Sequence, residues 1–261
     1  MSTIDPTAIR DMFERIKAVH IGVDLGQTQD FSAIAVVEVG ERPSGLMQRD
    51  WRRTYHGAVH YTPVPEATYR VQRLMRVDLG TSWIAIAARI CDVVGALWNW
   101  EKTLRERGEL QPHEPQLPWD IWVDATGVGK PVIAIIDNML RSKPKTDRAH
   151  VHPVVFNHGD RFVRGGYEGT GDVLGKAYLV SRLQALAQMD PPLLKLPPRD
   201  AEAEAMMQEL KDYRIKVTED ANDKYGAFAV GAHDDLVTAV GLACIEDPGF
   251  YSVQAGPNIW P

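Results

Sequence analysis

Aspartates stand at three distant places in the chain, where apolar segments end or begin. Asp24 lies in the middle of a predicted strand, Asp124 ends another, and Asp234 and Asp235 begin a predicted helix. A buried carboxylate is costly without a partner, so these positions predict a cluster in space. Mg²⁺ prefers carboxylate oxygens, and two divalent ions about 3.5–4 Å apart can activate water and stabilise the leaving oxygen of a phosphodiester. The three segments therefore predict a metal site that hydrolyses phosphodiester bonds.

Each of these acids also has a purely structural interpretation. An Asp at the start of a helix usually caps it, which applies to Asp234 and Asp235. Asp124 precedes Ala-Thr-Gly, where a turn can begin. Asp24 is the hardest to explain in this way, because it lies inside a strand. His233 precedes the acidic pair, but Mg²⁺ rarely takes imidazole, so we expect it to assist the site or to form a turn.

Two glycine-lysine sequences, at 127–130 and 169–176, resemble phosphate-binding loops. Such a loop requires a glycine five positions before the glycine that precedes the lysine, and Ser or Thr after the lysine. Asp124 and Thr170 stand at the glycine position, and neither lysine is followed by Ser or Thr. Both sequences therefore predict the geometry of a helix start, and no ATPase site is predicted.

The segment 141–176 is the best candidate for contact with nucleic acid. It carries seven basic and four acidic residues in a chain whose net charge is −6. A glycine-rich basic loop close to the acids could hold a phosphate backbone, and we expect Arg161, Arg164 and Lys176 to do so. An ordinary solvated loop would show the same charges.

Apolar spacing and turn residues predict a mixed sheet flanked by helices. Three antiparallel strands followed by helix–strand alternation is the order of a ribonuclease H-like fold, and Thr81 or Ser82 is the expected N-cap of the longest helix. The predicted strands cover 19–25, 31–39, part of 50–60, 120–124, 152–156 and 193–196. The predicted helices cover 1–18, 66–107 with a break at 79–82, 127–140, 173–189, 201–213 and 234–245. A mobile loop is predicted at 157–172 and a polar hairpin between 214 and 230.

The composition is that of an ordinary globular protein of 261 residues, with 44% hydrophobic and 25% charged residues. Cys91 and Cys244 both lie in apolar helical segments and are expected to be buried thiols in a reducing compartment. No apolar run approaches the length of a membrane span, so no membrane partner is expected. The acidic net charge disfavours a protein that simply coats nucleic acid, but it is compatible with an acidic active site beside a basic rim.

Five segments occur in an order that resembles one family. They read IGVDLGQTQDFSAIAVV, WVDATGVGKPVIAII, GKAYLVSRLQAL, QELKDY and HDDLVTAVGLA. Over residues 19–246 they are similar to the C-terminal nuclease domain of the large terminase subunit of tailed bacteriophages. The resemblance implies a ribonuclease H-like endonuclease that uses Mg²⁺ or Mn²⁺, with two ions, to cut concatemeric viral DNA when packaging begins and ends.

The resemblance also implies roles for individual residues and partners. The three catalytic acids of the family map onto Asp24, Asp124 and Asp235, with Asp234 as an auxiliary metal ligand, and Lys176 matches a recurring lysine. The expected substrate is double-stranded DNA in the cytoplasm of a host cell. No packaging ATPase is predicted in this chain, so a separate ATPase, a small terminase subunit and a portal are the expected partners. The expected organisation is an N-terminal helical extension at 1–18, a nuclease domain at 19–246 and an irregular tail at 247–261.

Three other functions are compatible with parts of the sequence. A Holliday-junction resolvase has a similar fold and a four-acid site, but it acts as a dimer on structured junctions. An actin-like or sugar-kinase-like ATPase also has a hairpin that reads D-x-G, but it needs a second such hairpin, for which only the segment 123–127 is available. A DNA-binding or scaffold protein with a degenerate site is the third alternative.

Overall fold

The computed structural model describes most of the chain, including Asp24, Asp124, Asp234 and Asp235. The described residues are 15–26, 30–49, 61–127, 129–157, 159–165, 171–197, 200–217, 223–226 and 234–245.

Ten strands and five helices form in this part of the chain. The strands are β1 Arg15–Asp24, β2 Ser32–Arg49, β3 Tyr61–Val77, β4 Trp119–Asp124, β5 Ala149–Asn157, β6 Phe162–Val163, β7 Asp172–Gly175, β8 Leu194–Lys195, β9 Arg214–Val217 and β10 Asp223–Gly226. The helices are α1 Trp83–Glu106, α2 Gly129–Arg141, α3 Lys176–Gln188, α4 Ala201–Asp212 and α5 Asp235–Ala243.

Eight of the strands form one mixed sheet in the order β6-β7-β5-β4-β1-β2-β3-β8, and β9 pairs with β10 as a separate hairpin. Strands β1, β2 and β3 form an antiparallel meander, and β4 and β5 extend it beside β1 as parallel strands. This is the mixed sheet that the sequence predicts, with helices on both faces. The predicted fold class is confirmed.

The alternation of β1 divides its side chains between two cores. Val19, Ile21 and Val23 pack with α1 and α2 on one face of the sheet. On the other face β1 lies directly beneath α5. An ideal Cβ at Gly22 would stand 1.8 Å from the carbonyl oxygen of Ala239, so only glycine permits this approach.

The N-terminus of α1 has the predicted cap. The Ser82 side chain accepts a hydrogen bond from the backbone N–H of Ala85 at 3.3 Å, which satisfies one of the four free donors of the first turn. The predictions for α2, α4, α5, β4, β5, β8 and the polar hairpin are also confirmed to within a few residues.

The largest error of the sequence prediction is β3, whose residues 66–77 were expected to be helical. The pairing of β2 with β3 shifts register between Val36 and Val37, which leaves Gln72 as an extra residue. This bulge breaks the two-residue alternation, so buried side chains follow a spacing of two and then three, which imitates a helix. The predicted strand at 50–60 lies outside the described residues.

Three further boundaries differ from the prediction. Residues 15–18 belong to β1, so the helix predicted for 1–18 does not include them, and residues 1–14 are outside the described part. Residues 173–175 belong to β7 and begin no helix. The loop predicted at 157–172 contains β6. Short strands such as β6 and β7 carry too few residues for their alternation to be recognised in sequence.

Candidate functional site

Asp24 and Asp124 lie side by side at the carboxyl end of the sheet. Strands β1 and β4 are parallel and Val23 pairs with Val123. The residues that follow this pair, Asp24 and Asp124, are the last residues of the two strands. Asp24 thus ends its strand, whereas the sequence placed it in the middle. Both carboxyl groups lie on the face that α5 covers, because they alternate with the side chains of Val23 and Val123, which face α1 and α2.

Helix α5 runs antiparallel to β1, and this direction brings its first residue to Asp24. Nδ1 of His20 lies 2.8 Å from the carbonyl oxygen of Ala243, and Gly22 faces the carbonyl oxygen of Ala239. Two strand residues advance by about 6.7 Å and four helix residues by about 6 Å. The next step of the same register therefore places Asp235 opposite Asp24.

The electrostatics agree with this placement. The pKa of Asp24 is raised well above its usual range, first by burial and then by repulsion from Asp124, Asp234 and Asp235. Lys176 acts in the opposite direction. Four carboxyl groups from three separate segments of the chain therefore lie close enough to influence one another.

Asp124 is held by hydrogen bonds. Its Oδ1 accepts the backbone N–H of Thr126 at 2.7 Å. Burial nevertheless raises its pKa, against the effect of these bonds and of Lys176. Asp124 in turn raises the pKa of Asp24, so the two carboxyl groups lie within electrostatic range of each other.

Two cations face the acids at the start of α5. Nζ of Lys176, the first residue of α3, lies 3.4 Å from Oδ2 of Asp234. Nε of Arg76, on β3, lies 3.7 Å from Oδ2 of Asp235. The sequence predicts Lys176 near the acids, but it predicts a helix for the segment that carries Arg76 and so does not reveal that residue.

Glu209 on α4 is the second residue that the sequence did not reveal as part of this region. One of its carboxylate oxygens accepts the backbone N–H groups of Leu236 and Val237 at 2.9 and 3.0 Å. The other pairs with the guanidinium of Arg76. Asp234 itself makes no side-chain cap bond, so Glu209 supplies the cap of α5 from another helix. The segment QELKDY contains it, but no spacing within that segment indicated its target.

The predicted DNA contacts occupy the edge of the sheet beside Lys176. The Arg161 side chain is 87% exposed and lies 3.7 Å from Asp160, and its backbone carbonyl accepts the N–H of Gly175 at 2.8 Å. The guanidinium of Arg164 lies 5.7 Å from the ring centroid of Trp122, two residues before Asp124. His233 lies outside the described residues.

The site residues are suited to a hard divalent cation by their chemistry, since they offer carboxylate oxygens and no sulfur. Among the described residues, no three His, Cys, Asp or Glu side chains are grouped around a common point in the manner of metal ligands. Three of these acids have other partners: Asp124 accepts the backbone N–H of Thr126, Asp234 faces Lys176 and Asp235 faces Arg76. Mutual repulsion and burial raise the cost of this charge, which a divalent ion would relieve.

The strand order defines the class of protein, a ribonuclease H-like α/β domain. The chain is similar to the large terminase nuclease from thermophilic phage G20c, with 18% identity, a TM-score of 0.46 and coverage of 90% of this chain and 87% of that chain. It is also similar to the human cytomegalovirus terminase nuclease domain, Mn soaked, with 13% identity, a TM-score of 0.46 and coverage of 90% and 86%.

A third similar structure is the g2p large terminase nuclease domain from bacteriophage SPP1 with bound Mn, with 11% identity, a TM-score of 0.40 and coverage of 88% and 86%. All three similar structures are nuclease domains of terminases, the family that the sequence resembles. Neither a protein-family model nor a curated protein matches the sequence. In the described part, no helix has the length and apolar character needed to cross a membrane.

Proposed function

We propose that this chain is a divalent-metal-dependent DNA endonuclease of the large terminase nuclease type. One observation supports the proposal: carboxyl groups from three distant segments lie near one another at the carboxyl end of the sheet, where burial and mutual repulsion raise the pKa of Asp24. Such a cluster is costly in a purely structural role. It is the donor set that phosphodiester hydrolysis by hard cations requires.

In this function Asp24, Asp124 and Asp235 hold Mg²⁺ or Mn²⁺, with Asp234 as an auxiliary ligand. When bound, two ions supply the activated water and stabilise the leaving oxygen. Metal ligands must be deprotonated, so Asp24 and Asp124 would hold the ions as carboxylates. Lys176, which faces Asp234, adds positive charge at the edge of the site where a phosphate would approach.

The substrate we propose is double-stranded DNA. Arg161 and Arg164 line the edge next to Lys176 and would contact phosphates without reading sequence, and His233 is proposed to assist at the acidic pair. The similar structures are terminase nuclease domains, and the role we propose is to cut concatemeric viral DNA. The proposed partners in packaging are a separate ATPase, a small terminase subunit and a portal.

The test is nicking of supercoiled plasmid in Mg²⁺ or Mn²⁺. Asp24→Asn and Asp124→Asn should each abolish nicking, because each removes a charged ligand while preserving its shape. Asp92→Asn is the matched control, since Asp92 is exposed on α1 on the opposite face of the sheet. The absence of wild-type cleavage with both ions, on duplex and on single-stranded DNA, would refute the proposal.

The same preparation separates the proposed function from its rivals. A resolvase would cut a four-way junction in preference to linear duplex, whereas the proposed nuclease cuts linear duplex at least as well. An actin-like or sugar-kinase-like ATPase would bind a nucleotide tightly in calorimetry, and the proposed nuclease would not.

A further inference from the structure

We propose that Glu209 is a positioning residue that restrains Arg76 and so keeps Asp235 available to a metal ion. This inference rests on the proposed function, since it assigns Asp235 to the metal site. Glu209 is buried on α4, outside the four acids, and belongs to none of the segments that carry those acids.

The contacts of Arg76 are unequal. Its guanidinium pairs directly with Glu209, while its Nε stands 3.7 Å from Oδ2 of Asp235. Its guanidinium also lies 5.7 Å from the ring centroid of Phe31. A charge-assisted bond between guanidinium and carboxylate is strong and directional, so Glu209 fixes the position of the Arg76 guanidinium.

The position of Arg76 affects how easily a metal ion can reach Asp235. The partly buried Arg76 and a metal ion would compete for the buried Asp235 carboxylate, because both are attracted to its negative charge. With Glu209 in place, Arg76 shares its charge between two acids. Without the Glu209 carboxylate, Asp235 would be the one acid among the described residues that pairs with Arg76, and the metal would have to displace the arginine.

The other carboxylate oxygen of Glu209 links this restraint to the position of α5. It accepts the N–H groups of Leu236 and Val237, the two residues that follow Asp235. One side chain therefore fixes both the backbone that carries Asp235 and the cation that faces it. Partners of metal ligands commonly change metal affinity or activity by about 10–100-fold when they are replaced.

The test measures Mn²⁺ binding directly, by the loss of the free-ion signal in electron paramagnetic resonance, together with the metal dependence of plasmid nicking. Glu209→Gln should weaken Mn²⁺ binding by about tenfold or more, because Arg76 then turns to Asp235. Adding Arg76→Met to this variant should bring the Mn²⁺ affinity back towards that of the wild type. A merely structural Glu209 predicts the opposite, since the second substitution would add to the damage.

Glu204→Gln is the matched control, because Glu204 is an exposed glutamate on the same helix, and it should bind Mn²⁺ as the wild type does. If Glu209→Gln does not fold, the single variant Arg76→Met tests the inference. We expect it to bind Mn²⁺ at least as tightly as the wild type does, and weaker binding would overturn the inference.

Different results would refute the role of Glu209 and the nuclease function. A wild-type chain that neither nicks DNA nor binds Mn²⁺ refutes the nuclease proposal. A wild type that does both, beside a folded Glu209→Gln with unchanged affinity and nicking, refutes only the role of Glu209. Weakened binding that Arg76→Met does not relieve also refutes that role.

Discussion

Gly22→Ala should disable the proposed nuclease without touching an acid. An ideal Cβ at this position would lie 1.8 Å from the carbonyl oxygen of Ala239 and 2.8 Å from the backbone nitrogen of Ala243. A carbon and a carbonyl oxygen need about 3.3 Å, so α5 must retreat from β1 by roughly 1.5 Å. Because both neighbours are backbone atoms, no rotation of a side chain can relieve the contact.

The retreat of α5 moves Asp235 away from Asp24. A misplacement of about 1 Å in a catalytic arrangement can cost about 100-fold in rate, so we expect nicking to fall by at least that factor. The overpacked interface should also lose about 1–3 kcal/mol of unfolding free energy. The assays are Mn²⁺-dependent plasmid nicking, normalised to the folded fraction, and denaturant unfolding monitored by circular dichroism.

Gly95→Ala is the control for Gly22→Ala. Gly95 lies within α1, and nothing stands within 4 Å of its ideal Cβ, so alanine there should leave nicking unchanged and stabilise the helix by about 0.5–1 kcal/mol. The reasoning is refuted if Gly22→Ala is as stable and as active as the wild type, since α5 would then not be seated on β1 through this glycine.

Three further predictions concern pH and capping. Burial lowers the pKa of His20, so below about pH 6.5 the unfolded chain binds more protons than the folded chain. The melting temperature should therefore fall as the pH drops through that value. His20→Gln should make the melting temperature depend less steeply on pH. Protons compete with metal for Asp24, whose pKa is raised, so the Mn²⁺ concentration needed for half-saturation should fall as the pH rises. Lys176 lowers the pKa of Asp24, so Lys176→Gln should shift this pH dependence to higher pH. Ser82→Ala removes the cap of α1 and should cost about 1 kcal/mol in denaturant unfolding while nicking persists.

Much of the fold and the candidate acids could be predicted because their signals are local. Alternation identifies β1 and β4, and the acidic pair followed by an apolar run identifies α5. Topology then brings Asp24 and Asp124 together, since parallel neighbours end at the same edge of the sheet. These inferences require only the pattern within each segment and the order of the segments.

The missed features depend on relations between segments. The bulge at Gln72 arises from the pairing of β3 with β2, and it concealed the strand that carries Arg76. Glu209 caps α5 across a gap of 27 residues to Leu236, and a glutamate on a helix has the same appearance in sequence whether it faces solvent or another helix. Only the packed structure distinguishes those cases.

The alternation of β1 therefore serves stability and the proposed chemistry together. Its three consecutive positions on the α5 face are His20, Gly22 and Asp24, and the first two meet successive turns of α5 at Ala243 and Ala239. The histidine bonds to the C-terminal end of the helix and the glycine permits close approach. The aspartate then meets the acidic start of the helix. A one-residue slip of β1 would turn all three positions to the opposite face, so the register that buries the core is also the register that assembles the acids.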